Sequence, residues 1–138
     1  MKSIDTIYKF LEEHLGVKES SLKPDSDLCH DLGVEGDDFF ELEEEFEKEF
    51  KVNMSSYLWY FHHGEEPFFN VGSLFFKPPY KRVIHIPVTA SLLLKAANEG
   101  SWPVKYPEHK LPSRRYDTII SNTLIITLIG ISIYAVFA

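Results

Sequence analysis

Apolar positions recur at helical spacing in three stretches of the chain, and near the C-terminus they cease to alternate with polar ones. Ile4, Ile7, Tyr8, Leu11 and Leu15 follow Ser3 at steps of three and four, which predicts an amphipathic helix capped by Ser3 and ended by Gly16. Phe39, Leu42, Phe46 and Phe50 repeat the pattern; at 100° per residue they fall within an arc of about 80°, a narrow stripe suited to a core. Asp37 and Asp38 then lie in the first turn, where negative charge complements the helix dipole. A third helix is predicted after Thr89, carrying Leu92, Leu93, Ala96 and Ala97 and ending at Asn98 and Gly100.

The connections read differently. Residues 19–30 (ESSLKPDSDLCH) form a long irregular loop held by Leu22 and Leu28. Residues 54–63 (MSSYLWYFHH) suggest one or two helical turns. Residues 64–80 are interrupted by Gly64, Pro67, Gly72, Pro78 and Pro79, so no long element is expected there, and residues 81–86 (KRVIHI) suit a short extended piece.

Residues 118–138 (TIISNTLIITLIGISIYAVFA) contain no charge. At 1.5 Å per residue they reach about 30 Å, the hydrocarbon thickness of a bilayer. A core helix keeps one polar face, whereas here apolar side chains from Ile119 to Phe137 cover every side, so a transmembrane helix is expected. Lys105, Lys110, Arg114 and Arg115 precede it, and by the positive-inside tendency they keep the N-terminal domain in the cytoplasm. The expected arrangement is a tail-anchored, single-pass membrane protein with its N-terminal domain in the cytoplasm. Residues 1–16 carry Asp5, Glu12 and Glu13 within their apolar pattern and do not read as a secretory signal.

Charge divides the chain. Residues 1–51 hold sixteen acids and six bases, residues 52–138 five acids and eight bases, giving the net −7. An acidic head argues against nucleic acid and for a protein partner with a basic surface. At 138 residues there is room for one core, and the lone Cys29 cannot form an internal disulfide. The expected organisation is a domain over residues 1–103 with an insertion at about 64–85, a basic linker over 104–117 and the anchor over 118–138.

Asp31-Leu32-Gly33, followed by Glu35-Gly36-Asp37 and a helix ending in Glu45-Phe46 and Glu49-Phe50, resembles the acyl carrier protein family over roughly residues 1–102. Gly36-Asp37-Asp38, Tyr60-Phe61, Ala96-Ala97 and Gly100-Ser101-Trp102 are similar to an uncharacterised enterobacterial group of carrier-like proteins in which Gly-Asp-Asp replaces the serine motif. The resemblance implies an all-α, acyl-carrier-like bundle of three main helices and one short one. It also implies an acidic second helix that docks onto basic enzymes, with Gly36 standing where a serine would hold phosphopantetheine. Glycine has no hydroxyl to esterify, and no serine lies between Ser26 and Ser55. No cofactor is therefore expected.

Other groupings carry less. Cys29-His30 lacks an orienting third group, so no catalytic pair is expected. His62-His63 with Glu65-Glu66 has no metal-ligand spacing and reads as a surface cluster, and Asp25, Asp27 and Asp31 lack the pattern of a calcium loop. Trp59, Tyr60, Phe68, Phe69, Phe75, Phe76 and Tyr80, interleaved with Lys77, Lys81 and Arg82, suit a completed core, a membrane interface or a partner groove.

These readings converge on a membrane-anchored, non-enzymatic interaction module. It would dock a basic partner, such as an acyl-processing enzyme, through Asp37, Asp38, Glu41, Glu44 and Glu45, with lipid contact through residues 118–138. The alternatives are a genuine carrier modified at another serine such as Ser55 or Ser56, and a small inner-membrane regulator acting through its anchor.

Overall fold

The structure, a computed structural model, describes residues 1–66 and 70–138, so the expectation for Phe68 and Phe69 lies outside the described residues. Helix α1 (Ile4–Leu15), α2 (Gly36–Phe50) and α3 (Ala90–Glu99) are the three predicted amphipathic helices, and no strand forms among the described residues. One-turn 3₁₀ segments lie at Trp59–Phe61, Val71–Leu74 and Pro79–Lys81. The piece expected to be extended at 81–86 is instead the end of one such turn followed by irregular chain.

The apolar stripes meet in one core. Ile7, Phe10 and Leu11 of α1 pack with Phe39, Leu42, Phe46 and Phe50 of α2 and with Leu93, Ala96 and Ala97 of α3. Phe10 sits edge-on to Phe46 and Phe50, with ring centroids at 5.8 and 5.3 Å. Each buried phenylalanine contributes on the order of 2 kcal/mol from removal of apolar area from water. Leu22, Leu28 and Val34 bring the long loop into the same core. Its backbone is tied in as well, by Leu28 N–H to Val88 C=O at 2.9 Å and by Ser91 N–H to Pro24 C=O at 3.0 Å.

The helix ends follow local chemistry. Gly16 and Gly100 close α1 and α3 in the left-handed conformation. Lys51 closes α2 the same way, which carries it out of the helix, and no ion pair joins it to Glu47 among the described residues, whereas Glu44 and Lys48, also four apart, pair at 3.1 Å. The Thr89 hydroxyl accepts the Leu92 N–H at 3.1 Å. Replacing Thr89 by alanine is expected to lower unfolding free energy by about 1 kcal/mol while serine retains most of it, as read from urea midpoints.

After α3 the chain turns back on the core: Asn53 N–H bonds Gly100 C=O at 2.9 Å and Trp102 N–H bonds Asn53 C=O at 3.0 Å. Helix α4 (Tyr116–Phe137) begins two residues before the uncharged run and stands largely outside the core, with Asp117 and Ser121 its buried residues. It is long and apolar enough to cross a membrane.

Candidate functional site

Gly36 starts α2 with φ +58°, donates its N–H to Gly64 C=O at 3.3 Å and is buried. A Cβ at this position would lie 2.3 Å from Glu66 Oε1. The place of the expected serine is thus a left-handed turn folded beneath residues 64–66, a conformation L side chains disfavour by about 1–2 kcal/mol. Beyond it, Asp37, Asp38, Glu41 and Glu44 are exposed and Glu45 is half-buried. Lys48 reaches Glu44 and, at 3.5 Å, Glu45, while no ion pair among the described residues involves Asp37, Asp38 or Glu41. Asp38, Glu41, Glu44 and Glu45, with His14 and Leu15, line an open depression of about 290 Å³ where the end of α1 meets α2.

Glu43 departs from its neighbours on the same helix. It turns inward, accepting the hydroxyl of Tyr57 and lying 3.0 Å from His63 Nε2. His62 and His63 are accordingly not a surface cluster: both are buried, His62 completely. His63 lies face to face with Phe39 at 4.3 Å and sets Nδ1 2.7 Å from Gly64 C=O. His62 places Nδ1 2.7 Å from Ile86 C=O and Nε2 2.7 Å from the Tyr106 hydroxyl. That hydroxyl also accepts the Trp102 indole N–H at 2.8 Å and the Leu58 N–H at 3.2 Å. One hydroxyl has one donor and two acceptor sites, so it donates its proton to His62 Nε2, and the single imidazole proton sits on Nδ1 and is donated to the Ile86 carbonyl. Burial depresses His62 to about 4 and it is neutral near pH 7.

A second polar grouping lies at an open cleft of about 330 Å³ lined by Cys29, His30, Glu35, His63, Tyr80 and His85 among others. Cys29 donates its thiol to Glu35 Oε1 at 3.2 Å, and burial, then Glu35, push it up to about 12. It is held as a thiol, not as the thiolate that a nucleophile or soft ligand requires. Asp27 Oδ1 accepts the Cys29 N–H at 3.0 Å, and Oδ2 faces His85 Nε2 at 2.5 Å and His30 Nδ1 at 3.6 Å. Asp27, His30 and His85 bring ligand atoms within 4.8 Å of one another, a grouping the sequence reading did not contain. Asp27-x-x-His30 was visible as a spacing; His85 arrives from a distant loop. The two imidazoles stack with centroids 3.8 Å apart and planes 21° apart. Rings stacked this closely hold their nitrogen lone pairs in nearly parallel planes, so one ion bound by both imidazoles would lie out of at least one ring plane, an unfavourable geometry for a metal–imidazole bond. The arrangement fits hydrogen bonding that fastens the 27–31 loop to the 81–86 segment.

The third grouping joins the domain to α4. Arg115 bonds Asp117 with Nε at 2.9 Å and Nη2 at 2.6 Å, and reaches Glu65 with Nη2 at 2.8 Å. Asn70 donates to Asp117 Oδ2 at 2.9 Å and accepts from Ser121 at 2.8 Å, and Gly72 N–H meets Ser121 Oγ at 2.9 Å. A Cβ on Gly72 would fall 1.9 Å from the Asp117 carbonyl oxygen, so glycine is required for the backbones to touch.

A family model described as "Protein of unknown function (DUF1493)" matches residues 2–104. No solved structure matches. No acyl carrier protein family matches, which corrects the resemblance drawn from the Asp-Leu-Gly turn and the acid-aromatic helix end. Both features are local: a left-handed glycine closing a tight turn and an acidic amphipathic helix answer to backbone geometry and helix periodicity, and do not by themselves specify a family.

Proposed function

Starting from the fact that the chain belongs to the DUF1493 family, we propose that it is a membrane-tethered, non-catalytic docking module whose α2 acids bind a basic protein surface. The observation that carries this reading is the division of labour on α2. Phe39, Leu42, Phe46 and Phe50 supply its packing, while Asp37, Asp38 and Glu41 are exposed without cationic partners among the described residues. Like charges at Glu41 and Glu45 repel within the helix, so the acidic face costs stability in the free protein. A basic partner turns that cost into complementarity and accelerates encounter, with a dependence on salt.

The anchor is α4, and Lys105, Lys110, Arg114 and Arg115 before it favour a cytoplasmic position for the domain. The test is recovery of crosslinked partners from membranes bearing the wild-type chain or the Glu41→Lys/Glu44→Lys/Glu45→Lys variant. A loss of about tenfold or more, equivalent to about 1.4 kcal/mol, is expected, with folding stability changed by no more than the loss of the two exposed Lys48 pairs accounts for, about 0.5 kcal/mol each. Equal recovery at low and physiological salt sinks the reading.

A further inference from the structure

We propose that the turn Val71–Leu74, with Phe75 and Phe76 after it, is a second membrane contact that lies in the interfacial layer beside the first turns of α4; this rests on the reading of α4 as a span. Val71, Leu74, Phe75 and Phe76 are 46, 80, 71 and 41 % exposed, four large apolar side chains within six residues that the domain core does not use. Scattered exposed apolar residues are ordinary, but a contiguous group marks an interface.

Its position identifies the occupant. The Gly72 backbone rests against Asp117, and its N–H is bonded to Ser121 Oγ, so the turn is level with α4 between residues 117 and 121. Ser121 is five residues into the helix, about 7.5 Å along its axis. Leu124, exposed just beyond Ser121 on the same face of α4, continues the apolar surface, and Ile119 is exposed at the level of the turn on another face of the helix. Phe76 lies 5.4 Å from the Tyr116 ring, and Lys77, Arg82 and Arg114 surround that pair. Aromatic rings bordered by cations suit the headgroup layer, and the cations suit its anionic lipids.

The same seating settles a problem inside α4. Asp117 and Ser121 would present a charge and a hydroxyl at the edge of the hydrocarbon, yet both are buried, 1 and 4 % exposed. Arg115 and Asn70 satisfy the carboxylate, and Asn70 and Gly72 occupy the hydroxyl. Polar groups at membrane depth persist where protein covers and pairs them, and the turn supplies that cover. The domain is thereby held in one orientation relative to the span.

The experiment uses the full chain in nanodiscs of mixed zwitterionic and anionic lipid, with Cys29→Ala and a nitroxide placed singly at Leu74→Cys, Phe75→Cys, Ile129→Cys or Lys95→Cys. Power saturation compares contact with oxygen, which partitions into lipid, against a water-soluble nickel chelate. Labels at 74 and 75 are expected to favour oxygen, with the sign of the logarithmic ratio opposite to that at 95 and a value shallower than at 129. A nickel-favouring ratio at both 74 and 75, with 129 in lipid, overturns the proposal and leaves the span intact. A label at 129 in water removes the span itself, and the proposal with it.

Discussion

Replacing Tyr106 by phenylalanine is expected to lower the unfolding free energy by about 3 kcal/mol, although it removes a single oxygen atom. The hydroxyl holds three groups at once: the Trp102 indole N–H, the Leu58 backbone N–H and the Nε2 lone pair of His62. A buried donor or acceptor left without a partner costs about 1–3 kcal/mol. Trp102 and His62 are buried at 5 and 0 % exposure, so water does not reach them without opening the core. Leu58 and His62 come from one segment and Trp102 from another, which makes the oxygen a crosspoint between the 58–62 segment and the chain returning after α3. Urea denaturation of the full chain in detergent gives the measure. Loss below about 1 kcal/mol, the size of one ordinary hydrogen bond, would show that the hydroxyl is not the shared partner. Tyr60 offers a control: its hydroxyl lies 2.8 Å from exposed His109, and Tyr60→Phe is expected to change stability by no more than about 0.5 kcal/mol.

What the sequence made legible follows from what repeats locally. The stripes of α1, α2 and α3 were readable because a helix repeats every 3.6 residues; the spacing names the buried face of α2 completely, but in α1 it names Ile7 and Leu11 without the buried Phe10, and in α3 Leu92 is only partly buried while Ala90 is buried. The uncharged run marked α4 by length and composition alone. The irregular region escaped because its determinants are long-range. His62 and Tyr106 are separated by 44 positions and Gly72 and Ser121 by 49, and neither pairing leaves a local pattern. The adjacent pair His62-His63 looked polar and therefore external, whereas each ring has its own buried partners. Glu43 was masked in a run of acids; what distinguishes it is that its direction from the helix axis falls near the core stripe, toward Tyr57 and His63. The acidic face shows the converse limit. Its residues are where the sequence placed them, but exposure is a property that helix periodicity assigns to any polar position, so location alone does not name what binds there.

Acidification from pH 7 to pH 5 is expected to remove about 2 kcal/mol of stability through His62, rising toward about 3 kcal/mol near pH 4. The sign follows from where the proton goes. In the unfolded chain the imidazole has its ordinary value near 6.5, and in the folded protein burial lowers it to about 4. Between those values the unfolded state takes up a proton that the folded state refuses, so unfolding is favoured as pH falls; above 6.5 the contribution is constant. His63 and His85 add to the depression, while the Ile86 carbonyl and Asp27 oppose it. Geometry gives the same answer by another route: Nε2 accepts the Tyr106 proton, so protonating His62 sets two donors against each other and breaks the crosspoint. Urea midpoints at half-unit steps between pH 7.5 and 4 test this, with His62→Gln as the comparison. The variant starts lower at pH 7 but loses the part of the slope confined to that window. Parallel profiles for the two proteins would assign the acid sensitivity to other groups and remove His62 as its origin.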